Sequence, residues 1–80
     1  MNAIKVTIGN SYLHGLIEEF ICDRVDITNK EEMEYCAEEC VGAYLDMHAD
    51  VIFAKLPDVN SDEIYDACYY TIEEVTPNEL

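Results

Sequence analysis

The 80 residues of this chain are enough for one small domain, and folding a chain of this size hides only about 60% of its unfolded surface. Half of the residues are hydrophobic, but 18 Asp and Glu face only 4 Lys and Arg, which gives a formal net charge of −14. This charge argues against nucleic acids and anionic membranes as direct partners, because phosphate groups are bound by Lys and Arg. A basic protein is the electrostatic complement.

The chain also has no segment that approaches the ~20 apolar residues of a membrane span. Its first residues do not have the charged, apolar and small-residue order of a signal peptide. We therefore expect a cytoplasmic protein in a reducing setting, where the cysteines stay free thiols rather than forming two disulfides.

A short strand followed by a helix is predicted from the apolar residues at the start of the chain. Ile4, Val6 and Ile8 alternate with polar residues, and this period of two is typical of a strand. The next apolar residues recur at helical spacing, so a helix is predicted over residues 11–24, with Cys22 on its outward side among acidic neighbours.

A long second helix is predicted to begin after Ile27. Thr28 and Glu31 have the spacing of a capping box, which marks its first turn. Its buried face is predicted to contain Met33, Cys36, Ala37, Cys40, Tyr44, Met47 and Val51. Residues 50–56 fit either an extension of this helix or a second strand paired with residues 3–8, and their β-branched and aromatic side chains favour the strand.

A third helix is predicted up to residue 75, with Asn60 as its N-cap. Its buried stripe is predicted to contain Ile64, Ala67, Cys68, Thr71, Ile72 and Val75. The complete prediction is a single acidic domain over residues 1–80, α+β in class and mainly helical. It has three amphipathic helices over a small core and a short N-terminal strand, whose preferred partner is the segment 50–56.

Acidic residues are predicted to cover the outward faces of all three helices. No ladder of lysines balances them, although like charges at helical spacing repel by roughly 0.2–0.5 kcal/mol per pair. Tyr35 lies within the acidic arc of the second helix, and exposed tyrosines are typical of interfaces, where their rings accept arginine. The candidate partner contacts are Glu31, Glu34, Tyr35, Glu38, Glu39, Asp62, Asp66, Tyr69, Tyr70 and Glu73.

The segment SDEIYDACYYTIEEV, residues 61–75, resembles an acidic, tyrosine-rich helical segment of the ArdA-type antirestriction proteins. The similar elements are Asp62-Glu63, Tyr65-Asp66, and Tyr70 with Ile72-Glu73-Glu74. Small acidic proteins that contain tyrosine are also typical of phage and mobile-element inhibitors, including anti-CRISPR proteins. The resemblance implies nucleic-acid mimicry: an inhibitor that occupies the basic, nucleic-acid-binding surface of a partner such as a nuclease or a CRISPR effector.

Two other classes of function fit parts of the sequence. Cys36, Cys40 and Cys68 with a histidine would supply four zinc ligands, but structural zinc commonly uses two short ligand pairs and only one is present. The apolar stripes would instead suit a structural adaptor subunit that pairs with another helical protein. No nucleophile stands in a catalytic arrangement with His14 or His48, so neither an enzyme nor a bound cofactor or metal is predicted.

Overall fold

The computed structural model describes residues 2–75, which form a three-stranded antiparallel sheet and three helices. The elements in chain order are β1 (Asn2–Asn10), β2 (Glu18–Val25), α1 (Lys30–Met47), α2 (Ala49–Lys55), α3 (Ser61–Asp66) and β3 (Cys68–Val75). The strand order is β2-β1-β3, so β1 is central and the other two strands are the edges. Within the described residues, none of the helices combines the length and the apolar character needed to cross a membrane.

The central strand β1 carries the core, because its alternate side chains point toward α1. Ile4, Val6 and Ile8 are fully buried, and Val6 lies opposite Phe20 of β2 and Ile72 of β3. The buried cluster consists of Ile4, Val6, Ile8, Leu13, Val25, Ala37, Cys40, Val41 and Tyr44. Full burial of each large aliphatic side chain contributes about 1.5–3 kcal/mol of transfer free energy.

The prediction of a mainly helical fold was wrong, because helices account for 42% and strands for 33% of the structure. The predicted helix over residues 11–24 is replaced by turns followed by β2. Gly15 has a φ of 83°, in the left-handed region, so a helix cannot continue through it. The residues that follow pair with β1, and this pairing outweighs an apolar spacing that also fits a helix.

The predicted helix that ends at residue 75 was wrong in its second half. Asn60 is the N-cap as predicted, and its Oδ1 accepts a hydrogen bond from the backbone N–H of Asp62 at 2.8 Å. The helix α3 ends at Asp66, however, and β3 follows almost at once. Aromatic and β-branched residues dominate this strand, and β1 supplies hydrogen-bond partners along its whole length.

The preferred strand over residues 50–56 was also wrong, since residues 49–55 form α2. A strand at this position would need β1 as its neighbour, as predicted, but β2 and β3 already occupy both sides of β1. Backbone N–H and C=O groups without a neighbouring strand are satisfied within a helix instead. The N-terminal strand itself is confirmed and extends to Asn10.

The long helix α1 confirms the predicted second helix but differs from the prediction at both ends. Its N-cap is Asn29, whose Oδ1 accepts from the N–H of Glu32 at 3.1 Å, whereas the hydroxyl of Thr28 donates to the carboxylate of Asp26. Met47 is exposed rather than buried, because α1 ends there and the chain turns into α2. The buried residues of α1 are Ala37, Cys40, Val41 and Tyr44.

Two buried polar side chains fix the loop between β1 and β2. The amide of Asn10 donates to the carbonyl of Ile64 at 2.7 Å and accepts from the N–H of Tyr12 at 2.8 Å. Tyr44 is fully buried, and its hydroxyl donates to the carbonyl of Leu16 at 2.5 Å. Because these polar groups are paired, they can be buried without the penalty of an unsatisfied hydrogen bond.

Candidate partner-binding surface

The outward side of α1 is strongly acidic and carries one exposed tyrosine. Tyr35 is 62% exposed, opposite the buried side of the helix. Glu31, Glu38 and Glu39 are exposed around it, and no Lys or Arg follows Lys30 within the helix. Glu31, Tyr35, Glu38 and Glu39 are called the acidic face of α1 below.

The Tyr35 side chain interacts with an acid one turn further along the same helix. Its hydrogen bond to Glu39 is the largest cause, and the charge of that carboxylate the second, of a pKa raised above the ordinary tyrosine value. The hydroxyl therefore keeps its proton at neutral pH. An exposed ring next to a carboxylate is a suitable contact for an arginine guanidinium.

A second tyrosine, Tyr70 of the edge strand β3, lies close to the acids of α1 where the helix packs over this strand. Tyr70 is 36% exposed, and its pKa is raised first by burial and then by the charges of Glu34 and Glu38. Glu34 is half-exposed and lies 3.8 Å from Nζ of Lys30, so its charge is partly compensated. Tyr70 thus extends the acidic face of α1 toward β3.

The short helix α3 brings Tyr65 next to this extension. Asp62 and Asp66 are both exposed on the short helix. Tyr65 lies between them in sequence, is also exposed, and is close enough to Tyr70 to add to the shift of its pKa. The surface around Tyr70 is therefore formed by residues of α1, α3 and β3.

Tyr69 and Glu73 lie on the opposite face of the sheet from α1, and the structure does not bring them to the acidic face. Successive side chains of a strand point to opposite faces, so Tyr69 and Tyr70 diverge. Tyr69 covers Gly9 of β1, where an added Cβ would come within 2.5 Å of the tyrosine oxygen. Glu73 lies 3.2 Å from Nζ of Lys5. The predicted contact set is therefore divided between two surfaces.

The cysteines occupy two separate neighbourhoods. Cys22 is half-buried on the α1 side of β2, not on an outward helix surface as predicted, and its Sγ lies 3.5 Å from Sγ of Cys40. Cys68 instead accepts a hydrogen bond from the amide of Asn10 at 3.1 Å. Among residues 2–75, no group of three or more His, Cys, Asp or Glu side chains is arranged to hold a metal ion.

Burial controls the acidity of the thiols that face the interior. It is the largest cause of the raised pKa of Cys36 and Cys68, and it is the main reason that the pKa of Cys40 rises to about 12. All four cysteines are free thiols. Inward-facing thiols with raised pKa values are poor nucleophiles at neutral pH.

Sequence reasoning missed contacts that depend on the pairing of strands. Nε2 of His48 is buried 3.4 Å from a carboxylate oxygen of Glu18, and its ring packs edge-on against Tyr44 at 4.8 Å. No sequence signal indicated this pair, because the predicted helix over 11–24 placed Glu18 outward. Tyr65 did have a usable signal, since it is the one aromatic residue in the acidic sequence of α3.

No protein-family model matches the chain, and the comparisons with curated proteins and with solved structures gave no match either.

Proposed function

We propose that this protein is a non-enzymatic binding protein that occupies the basic, nucleic-acid-binding surface of a partner protein. The observation that carries the proposal is the acidic face of α1, where Tyr35 stands exposed among carboxylates that form no ion pair with a lysine within residues 2–75. A face that serves only solubility normally intersperses both signs of charge. Exposed tyrosine among unbalanced acids instead fits a contact surface for arginine and lysine.

The spacing of charges along α1 supports mimicry of a nucleic-acid strand. The helix has 18 residues, and the sequence KEEMEYCAEECVGAYLDM contains six acids. At about 1.5 Å per residue this is one charge per about 4.5 Å, against about 3.4 Å per phosphate in one strand of duplex DNA. A groove whose Lys and Arg follow a phosphate backbone could therefore accept α1 in place of the strand.

The expected partner is a nucleic-acid-handling protein, such as a nuclease or a CRISPR effector, met in the cytoplasm. This expectation follows the resemblance of residues 61–75 to antirestriction proteins, although those residues form α3 and β3 rather than one helix. Direct binding to nucleic acid or to an anionic membrane is opposed by the net charge of −14.

The test is affinity capture from a nuclease-treated bacterial lysate with a tagged protein. Bound proteins are identified by mass spectrometry after elution at increasing salt. The test variant neutralises three acids of α1: Glu34→Gln, Glu38→Gln and Glu39→Gln. The control variant neutralises three exposed acids elsewhere, so that both carry the same net charge: Glu19→Gln, Asp23→Asn and Asp58→Asn.

The proposal predicts that wild type and control capture the same nucleic-acid-handling protein, and that DNA or RNA displaces it. The test variant should bind it at least about tenfold more weakly, because rim and surface charges govern such encounters. Circular dichroism checks that each variant is folded. Unchanged capture by the test variant would contradict the proposed surface, and equal loss in both variants would show that only net charge matters.

A structural adaptor is a second candidate, and one feature of α2 favours it. Phe53 is 76% exposed beside a shallow apolar groove, which is lined by Leu45, Ala49, Ile52 and Ile64 among other residues. Replacing Phe53 with Gln distinguishes the two functions. If Phe53→Gln loses the captured partner while the triple glutamine variant keeps it, the adaptor function is correct and the acidic mimic is not.

A further inference from the structure

Three of the four cysteines gather between β2 and α1. Cys22 lies on β2 opposite Ile4 of the central strand, with its thiol directed toward the helix. The Sγ atoms of Cys22 and Cys40 are 3.5 Å apart. Cys36 lies one helical turn before Cys40, and the charge of Cys22 contributes to its raised pKa, so it borders the same cluster.

We propose that Cys22 and Cys40 are an oxidation site, at which a low-molecular-weight disulfide such as oxidised glutathione converts the two thiols to a reversible intramolecular disulfide. A disulfide needs a sulfur–sulfur distance of about 2.05 Å. The remaining approach of about 1.5 Å is within reach of small side-chain rotations, since the two thiols already touch. The bond would join β2 to α1 across 18 residues of sequence.

The reaction is two successive thiol–disulfide exchanges. The thiolate of Cys22 attacks one sulfur of the small disulfide, which forms a mixed disulfide and releases one small thiolate. The thiolate of Cys40 then attacks the sulfur of Cys22, closes the protein disulfide and releases the second small thiolate. The protons lost by the two cysteines protonate the two leaving groups, so the protein is oxidised by two electrons and the small disulfide is reduced to two thiols.

The order of attack follows from burial. Cys40 is nearly enclosed and its pKa is raised to about 12, so it is rarely ionised at neutral pH. Burial also raises the pKa of Cys36. The half-buried Cys22 is more accessible than Cys40 and therefore reacts first with the external disulfide, and Cys40 reacts second because it is already in contact. Closure should become faster as the pH rises, since the attacking species is the thiolate.

Peptide mapping of the wild-type protein tests this directly. Native protein is incubated with oxidised glutathione, alkylated, and cleaved with trypsin, which places Cys22 in the peptide 6–24 and both Cys36 and Cys40 in the peptide 31–55. A glutamate-specific protease then separates Cys36 from Cys40 by cleaving after Glu38 or Glu39. The expected product is one linkage between Cys22 and Cys40 that dithiothreitol reverses.

Three serine variants serve as matched comparisons. Cys40→Ser should stop at the mixed disulfide on Cys22, whereas Cys36→Ser and Cys68→Ser should still form the cross-link. Oxidised wild type should also melt higher, by about 10 °C, because the bond restricts the unfolded chain. Protein oxidised in urea, where the fold is lost, should give mixed linkages instead.

Three outcomes would overturn the proposal. These are a linkage of Cys22 to Cys36, a wild-type protein that stays at the mixed disulfide, and thiols that do not react at all in the folded protein. The wild-type mapping decides among them even if the Cys40→Ser variant does not fold.

Discussion

At the scale of single residues, the hydrogen bond from the buried hydroxyl of Tyr44 to the carbonyl of Leu16 anchors the loop between β1 and β2 to the core. Replacing Tyr44 with Phe keeps the ring in the core but leaves the carbonyl of Leu16 without this donor. The free energy of unfolding should fall by about 1–2 kcal/mol. Urea denaturation measures this, with the exposed Tyr12→Phe as the control. Equal stability of the Tyr44 variant and the control would contradict the assigned hydrogen bond.

The buried thiol of Cys40 makes stability depend on pH in the alkaline range. Burial, assisted by the neighbouring Cys22, raises its pKa from 9.0 to about 12. The folded protein therefore keeps a proton that the unfolded chain releases, so the contribution is complete below pH 9 and is lost as the pH rises toward 12. The free energy of unfolding should fall by up to about 1.4 kcal/mol per pH unit in this window. Because other thiols and tyrosines also lose protons at alkaline pH, the control is Cys40→Ser. Its free energy of unfolding should fall less steeply with pH than that of the wild type.

At the scale of elements, the first turn of α1 is capped by Asn29 and not by Thr28, which the sequence predicted. Asn29 accepts a hydrogen bond from the N–H of Glu32, while Thr28 bonds to Asp26 outside the helix. Asn29→Ala should therefore lower the free energy of unfolding by about 1 kcal/mol, and Thr28→Ala should lower it less. Thermal unfolding of both variants measures the difference. A larger loss for Thr28→Ala would support the capping box predicted from the sequence.

The sequence predicts those elements whose patterns are local. The strand β1 alternates strictly, α1 has a long helical period, and Asn60 is a typical cap, so all three could be recognised. The strands β2 and β3 could not, because their apolar residues also fit a helix. What decides them is pairing with the two sides of β1, a contact between residues far apart in sequence. The same pairing leaves no side of β1 free for residues 50–56.

The candidate surface was predictable only where it lies on α1. Helical spacing alone places Tyr35 and its acidic neighbours on the outside. The separation of Tyr69 from Tyr70 arises because these residues lie in a strand. Adjacent side chains point to opposite faces of a strand, whereas on a helix they are only about 100° apart. The contact between Cys22 and Cys40 likewise requires the register of β2 against β1.

At the scale of the whole molecule, the net charge of −14 predicts that salt stabilises the fold. Repulsion among carboxylates weakens the compact state, and added ions screen it. The pairs Lys5–Glu73 and Lys30–Glu34 are both accessible to solvent, although Lys5 is half-buried, and each is worth at most about 1 kcal/mol, so screening them costs little. The melting temperature should therefore rise when sodium chloride is increased from low to moderate concentration. A melting temperature that falls with salt would show that ion pairs outweigh repulsion.

The central claim is that the acidic face of α1 takes the place of nucleic acid on a partner, and competition tests it most directly. The captured partner is first bound to a fluorescently labelled DNA or RNA, and the protein is then titrated in while fluorescence anisotropy follows the label. The account predicts complete release of the nucleic acid at saturation, with at least about tenfold more of the triple glutamine variant needed. Anisotropy that stays high while the protein is bound, which means a ternary complex, would contradict the account.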